Sequence, residues 1–484
     1  MSAWADLYPW RAPEPGAPVI RGVYEQVRDA IRAGTLAAGQ RLPSSRDLGR
    51  RLGVARASVV AAYDQLLAEG YAEGRRGSGT FVSADLSGLS EPAPAAPMAP
   101  APAPLPERVA DLEAVALPLP AQGAQAFSNG RTLMDVRATE AWGRSTRRAL
   151  RRLGPEHFGY ADPRGDAALR TAIAEYLRAA RAVVCEPDQV IVTAGAQHAV
   201  DIAVRVLTSP GDAVWLEDPG YPATWHALAA AKARLVPVPV DGSGLDVAAG
   251  RAAAADARLA IVTPSHQYPL GVTLSLPRRL ELIAWAREAG AWIVEDDYAS
   301  EFRYAGPPLA SLQGLDGGER VIYVGTFNKA LFPGLRLGYL VAPKALAGAF
   351  ATARQLIDRQ PPTLTQAITL DFLRTGQFAA HIRRRRLAYR EQRDVLAGAL
   401  TAQLAGVLQE VHAPDQGMQL VAYLRQGLSD LAAETAAATA GITARAISPL
   451  YRRASPRSGL ILGFSGFPAP VIAPAVERLA AALR

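Results

Sequence analysis

Between Ala84 and about Gln125 the chain is dominated by alanine and proline, in a run Glu91-Pro-Ala-Pro-Ala-Ala-Pro-Met-Ala-Pro-Ala-Pro-Ala-Pro-Leu-Pro106 that no packed core can absorb. Proline removes backbone donors, and alanine buries too little surface to offset the entropy of ordering. The stretch therefore reads as a semi-rigid polyproline linker that lets its flanks reorient. A chain of 484 residues is in any case too long for one ordinary core. The expected organisation is a small domain over residues 15–83, a linker over 84–125 and a large domain over 126–484.

Composition narrows the class. Apolar residues make up 49% and charged residues 20%, as in a soluble globular protein. A single cysteine, Cys185, excludes a disulfide framework and any cysteine-based metal cluster, so a reducing, cytoplasmic compartment and no metal site are expected. Cys185 itself reads as a small buried hydrophobe. The start lacks a basic segment followed by an apolar core, and no long uncharged apolar run occurs later, so no membrane association is expected.

In the small domain, Ile20, Val23, Tyr24, Val27 and Ile31 fall at helical spacing and Gly34 stops that helix. Ser44, with Asp47 three residues on, caps a second helix carrying Leu48 and Leu52 and ending at Gly53. A third runs from about Arg56 to Glu69, with Val59, Tyr63, Leu66 and Leu67 inward. A glycine-rich hairpin follows, Tyr71 to Val82, with Arg75 and Arg76 at its tip. Three short helices and a basic hairpin suit a winged helix-turn-helix that reads double-stranded DNA, the third helix lying in the major groove. Arg46, Arg56 and Ser58 sit at helix starts, where side chains and free N–H groups meet phosphates or base edges. Residues 20–83 hold ten arginines against six acids, a local excess of four within a whole-chain excess of seven. The bland alternative is a helical protein-interaction module.

Beyond the linker, apolar runs alternate with helical segments: Gln189–Thr193, Ala213–Glu217, Leu259–Thr263, Ala291–Glu295, Val321–Val324 and Leu337–Val341, with helices such as Tyr221 to Ala231 and Pro277 to Gly290 between them. That pattern predicts an α/β domain built on a mainly parallel sheet with ligands at the carboxyl ends of its strands. Those ends carry chemistry. Gly195, Ala196 and Gln197 open a helix and offer N–H groups to a phosphate. Tyr221 can stack on a flat ring, Asp296 and Tyr298 place a carboxylate and a phenol at one rim, and Thr326 and Arg336 can add a hydroxyl and a full charge to a phosphate. Lys329 stands where an apolar strand turns, poorly solvated and able to lose its proton near neutral pH and form a Schiff base with an aldehyde. Each group alone reads as an ordinary loop residue. Together they are the parts needed to hold pyridoxal 5′-phosphate.

The segment Leu42-Pro-Ser-Ser-Arg-Asp-Leu-Gly-Arg-Arg-Leu-Gly-Val-Ala-Arg-Ala-Ser58 resembles the DNA-binding module of GntR-type bacterial regulators, a resemblance that implies DNA contacts by Arg46, Arg56, Ser58, Arg76 and Gly77. Val60 stands where some members carry another DNA-contacting arginine. The large domain resembles a fold-type I, pyridoxal-phosphate-dependent aminotransferase through Thr193-Ala-Gly-Ala-Gln197, Glu217-Asp-Pro-Gly-Tyr-Pro222, Thr263-Pro-Ser-His-Gln-Tyr-Pro-Leu-Gly271, Glu295-Asp-Asp-Tyr-Ala-Ser-Glu-Phe302 and Gly325-Thr-Phe-Asn-Lys329. The resemblance implies a Schiff base at Lys329, a pyridine-nitrogen partner in Asp296, a ring-hydroxyl partner in Tyr298, stacking by Tyr221, and a phosphate site from Gly195, Ala196, Gln197, Thr326 and Arg336. It also implies that Tyr160 reaches the phosphate of a neighbouring subunit, hence a homodimer.

Two departures stand out. Tyr268, with His266 and Gln267 nearby, occupies a position where aminotransferases carry asparagine. Ile461 falls where they carry the arginine that clamps the substrate carboxylate, and Arg457 in the preceding loop is the substitute to consider. Both halves joined by a long linker resemble the MocR subfamily of GntR regulators, whose aminotransferase-like domain senses a ligand. The expected function is a cytoplasmic, nucleoid-associated transcriptional regulator of bacterial type that responds to pyridoxal phosphate, as in PdxR-type control of vitamin B6 synthesis, or to its adduct with an amino acid. The absent clamp points to the cofactor as the signal. The alternatives are a working aminotransferase that carries a DNA-binding module, and a DNA-binding protein with an empty structural domain. The run Arg383-Arg-Arg-Arg386, on a helix, reads as a solvated or interface face.

Overall fold

The computed structural model describes residues 8–12, 18–88, 125–453 and 457–484. The chain divides into two compact units, Met1–Leu105 and Pro106–Arg484. Most of the expected linker, residues 89–124, lies outside the described residues, while Ala84–Gly88 forms a short 3-10 turn.

The first unit consists of α1 (Val19–Arg32), α2 (Ser45–Leu52) and α3 (Arg56–Ala68), followed by the antiparallel hairpin of β1 (Ala72–Arg75) and β2 (Gly79–Val82). The Ser44 hydroxyl accepts the Asp47 N–H at 3.1 Å, the cap expected from the sequence. Val23, Val27, Leu48, Leu52, Val59 and Leu66 close the core. Ile20, expected to point inward, is 44% exposed, because it sits in the first turn of α1, ahead of the packed part of its stripe.

The second unit is built on an eight-stranded mixed sheet of β3 (Val190–Thr193), β4 (Ala213–Asp218), β5 (Arg234–Asp241), β6 (Gly244–Leu245), β7 (Leu259–Val262), β8 (Trp292–Asp297), β9 (Val321–Thr326) and β10 (Gly338–Val341). The order across it is β3-β10-β9-β8-β7-β4-β5-β6. The centre, from β5 to β9, is parallel, while β10 runs antiparallel to both β3 and β9. Both faces are covered, so the central strands read as continuous apolar runs. β5 is absent from the sequence reading because Pro237 and Pro239 argue against a strand. It is tolerated because β6 covers only Val240 and Asp241 on its outer edge, leaving the prolines' missing donors without a ladder to break.

A second, antiparallel sheet follows the 27-residue helix Gln377–Gln403, with β11 (Leu408–His412), β12 (Gln419–Leu424), β13 (Arg445–Ala446) and β14 (Gly459–Gly463) in the order β11-β12-β14-β13. In the run expected to form a solvated face on that helix, Arg383 is exposed, but Arg385 is buried and pairs with Asp135. Arg386 donates to the Glu301 carbonyl at 2.9 Å. The run is thus partly an internal tie, because a helix this long packs on several elements. Cys185 is buried, as expected, and burial pushes its thiol up to about 11.

Side chains alternate across β8, so three consecutive acids serve different ends. Glu295 turns to one face and accepts the Leu312 and Gln313 N–H groups, each at 2.9 Å. Asp297, on that same face, takes the buried Arg181 at 2.8 Å and the Tyr323 hydroxyl at 2.6 Å. Asp296 points to the other face. Removing one member of a buried pair leaves an uncompensated charge, so Asp297→Ala is expected to destabilise the second unit by roughly 3–5 kcal/mol. The urea midpoint followed by tryptophan fluorescence measures this, and an unchanged midpoint would show that the pair carries no net load.

Candidate cofactor site and DNA-binding surface

The lysine turn is locked by its own side chains. The Thr326 hydroxyl accepts the Asn328 N–H at 3.1 Å and donates to the Leu337 carbonyl at 3.4 Å. Asn328 Oδ1 accepts the Leu337 N–H at 2.9 Å, tying the start of the turn to the strand that returns from it. Thr326 is thereby engaged in holding the loop, and a bond from it to a phosphate would require giving these up. Lys329 follows in the single helical turn Phe327–Ala330. Burial holds its amine below the usual lysine range, and the nearby Asp296 carboxylate opposes this.

Gly130 lies against that amine. A Cβ there would stand 2.2 Å from Lys329 Nζ, and the backbone has φ +70°, so only glycine fits on both counts. Gly195, at φ +107°, likewise leaves room for Asn328, since its Cβ would lie 2.6 Å from Asn328 Nδ2 and 3.8 Å from an Arg336 guanidinium nitrogen. Gly195 is the N-cap of the helix Ala196–Leu207, and Gln197 and Arg336 line one cleft beside it. The expected phosphate seat is thus brought together from two separate loops.

Above the sheet, burial pushes Asp296 up to about 7, helped by Asp297 and Glu217 and opposed by Lys329. Asp296 Oδ1 and the Tyr298 hydroxyl are buried with no hydrogen-bond partner among the described residues. Burial also raises Tyr298, which lies by the buried, neutral imidazole of His266 at 6.0 Å between ring centres. Tyr221 packs edge-on to Tyr268 at 5.5 Å and stands within electrostatic reach of Asp296, Arg445 and Arg336. An unpaired acid, an unpaired phenol, a desolvated amine and a cradle of free helix N–H groups beside an arginine fit pyridoxal phosphate: a pyridinium nitrogen set against Asp296 would return the acid to its charged form. Tyr160 is not part of this cluster. It is 79% exposed, with Arg359 over its ring at 3.7 Å.

Gln267, by contrast, is structural, donating to the Pro219 carbonyl at 2.8 Å and the Tyr268 carbonyl at 2.6 Å. Arg457 does not reach the site: it pairs with Glu410 at 2.7 Å and lies over Tyr423. Asn129, Gly130, Asn328 and Arg445 were not anticipated. Asn328, inside a quoted motif, was the one with a visible signal.

On the first unit, Arg46, Arg56 and Arg76 are exposed and Ser58 is half-buried at the start of α3, while Gly77 turns the wing at φ +77°. Arg56 Nε reaches the Ser45 hydroxyl at 3.3 Å, which joins the starts of α2 and α3. Arg75 is held by Glu73 at 2.6 Å and lies over Phe81, whereas Arg46 and Arg76 are exposed. Val60, standing where the resemblance leads some members to carry an arginine, is 39% exposed on α3. No helix of the described residues is long and apolar enough to cross a membrane.

A winged helix-turn-helix and an aminotransferase-like domain define a regulator built on an enzyme fold. Residues 20–82 match the bacterial regulatory proteins of the gntR family, and residues 127–457 match aminotransferase class I and II. The chain is 39% identical to the probable rhizopine catabolism regulatory protein MocR of Rhizobium meliloti, over 93% of this chain and 90% of that one. It is 34% identical to the HTH-type pyridoxine biosynthesis transcriptional regulator PdxR of Corynebacterium glutamicum, over 91% and 90%. Among solved structures, the alpha-aminoadipate aminotransferase LysN of Thermus thermophilus, complexed with N-(5′-phosphopyridoxyl)-L-leucine, matches with a TM-score of 0.69 and 29% identity, over 75% of this chain and 93% of that one. The chain belongs to the MocR subfamily of GntR-type transcriptional regulators.

The raised acid has a consequence for the ligand-free protein. A carboxyl whose folded pKa lies above its unfolded value costs stability progressively as pH rises from about 4 towards about 7. Asp296→Asn removes that cost. Its advantage in thermal stability over the parent is expected to grow across this window and level off above it, to roughly 1–3 kcal/mol. A constant difference between pH 4 and pH 8 would contradict the placement of Asp296.

Proposed function

We propose that this protein is a DNA-binding transcriptional regulator whose second unit binds pyridoxal 5′-phosphate covalently through Lys329 and responds to the cofactor, alone or joined to an amino acid. When bound, the cofactor supplies an aldehyde that takes an amine and an electron-poor ring. Lys329 offers the amine, Asp296 holds the proton on the ring nitrogen, and Tyr298 donates to the ring oxygen. Tyr221 covers the ring face. Gly195, Ala196, Gln197 and Arg336 take the phosphate, with Thr326 fixing the turn that presents the lysine. The observation that carries this reading is the pair of orphaned polar atoms on Asp296 and Tyr298 beside a desolvated lysine, in a chain that also bears a winged helix.

The regulated genes belong to vitamin B6 or amino-acid metabolism, the first supported by the name of a relative that regulates pyridoxine biosynthesis. The protein acts in the cytoplasm, on nucleoid DNA, as a homodimer in which exposed Tyr160 reaches the partner's phosphate site. A working aminotransferase remains the second reading, favoured by the presence of Asp296, Tyr298 and Lys329 together. Sustained turnover of an amino acid with an oxo acid would establish it.

Two measurements test the proposal. Incubation with pyridoxal phosphate should produce a visible absorption band that Lys329→Ala abolishes, and the cofactor, alone or with amino acids, should alter retention of the DNA upstream of the gene in a gel shift. A band that survives the substitution, or DNA that is never retained, refutes it. For the DNA surface, Arg46→Ala or Arg76→Ala should weaken binding across sequences and reduce the slope of log K against log salt by about 1. A slope unchanged in both variants would remove these residues from the phosphate contacts.

A further inference from the structure

Arg445 is placed where the sequence offers no reason to look. It lies on the two-residue strand β13, and its Cα partner in the antiparallel ladder is Ile461 of β14. Directly paired residues of an antiparallel ladder project to the same face of the sheet. Ile461 is fully buried in a cluster with Val421, Ile447 and Leu450, packed against Tyr268. The Arg445 side chain therefore leaves the sheet on the face that Tyr268 covers. Its guanidinium interacts with the Tyr268 phenol, which Asn129 also faces, and with Tyr221 at longer range. Among the described residues no carboxylate lies within ion-pair distance of Arg445. Both polar atoms of the Asn129 side chain are buried without a hydrogen-bond partner, and the next residue, Gly130, abuts Lys329.

A half-buried guanidinium without a counter-ion, next to an unsatisfied amide and two tyrosines, is set out for an anion. Its position fixes which part of a ligand it meets. Arg336 and the helix N-terminus at Gly195 already provide for a phosphate, and Tyr221 stands within reach of both arginines, so Arg445 is left for a second anionic group of the same ligand. We infer that Arg445, from the strand beside Ile461, holds the carboxylate of an amino acid joined to the cofactor, with Asn129 and Tyr268 completing its contacts. The inference rests on the reading of Lys329 as a pyridoxal phosphate site and deepens it. It also revises the expectation drawn from Ile461: the carboxylate clamp is displaced by one strand, and the signal is a carboxylate-bearing amine joined to the cofactor.

The test uses two stable probes that differ only by the carboxylate, N-(5′-phosphopyridoxyl)-L-alanine and N-(5′-phosphopyridoxyl)-ethylamine, titrated calorimetrically into the ligand-free full-length protein. The alanine adduct should bind at least about tenfold more tightly. In Arg445→Met, with folding checked by circular dichroism, that ratio should fall to within about twofold. In the double variant Arg445→Ile with Ile461→Arg, which moves the guanidinium to the neighbouring strand of the same face, a preference for the alanine adduct should return. Equal affinities in the parent protein, or a preference that survives Arg445→Met, overturn the inference. Failure of both probes to bind in the parent overturns the cofactor reading on which it rests, so the two failures are distinguishable.

Discussion

The second unit depends on how charge is distributed at the end of β8. Two acids on one face of the strand are satisfied internally, Glu295 by two backbone N–H groups and Asp297 by Arg181 and Tyr323. Only Asp296 is turned to the opposite face, where it has no hydrogen-bond partner for one oxygen. Burial, with Asp297 and Glu217 nearby, pushes the Asp296 carboxyl up to about 7, and burial draws the Lys329 amine down. An acid near 7 beside a desolvated amine is an arrangement that a ring with a basic nitrogen and an aldehyde would relieve.

Such a site requires a backbone that does not relax. Around Lys329 that rigidity comes from the Thr326 and Asn328 side chains, which join the turn to the strand on its far side, and from Gly130 and Gly195, whose lack of a Cβ admits the lysine and Asn328. These residues lower the entropy that binding would otherwise have to supply. The same reasoning explains why Arg445 carries weight despite its two-residue strand: register with β14 fixes the face from which it projects.

The first unit shows the complementary arrangement. Its core is a small apolar set, and its cations stand outside that core at helix starts and the wing tip. Arg75 is neutralised by Glu73, so phosphate attraction concentrates on fewer arginines than the local charge count suggests. One chain thus carries a gntR-family module and an aminotransferase-like domain.

Much of this was legible in the sequence, because it depends on local order. Helical spacing from Val23 to Leu66, the Ser44 cap, the apolar strands, and the strand-end positions of Asp296, Tyr298 and Lys329 are all set by nearest neighbours along the chain and by period. Pro237 and Pro239 hid β5, since whether a strand tolerates proline depends on what borders its edge. Ile20 and Arg385 were misjudged for a related reason: exposure and ion pairing depend on which element lies opposite. Sequence alone determined that an amine, an acid, a phenol and a phosphate cradle would meet at the ends of parallel strands, and that arginines would mark a winged helix. Only the tertiary structure decided which arginine stands by the candidate site, because pairing between β13 and β14 brings Arg445 beside Ile461 across a gap in sequence that no periodicity spans.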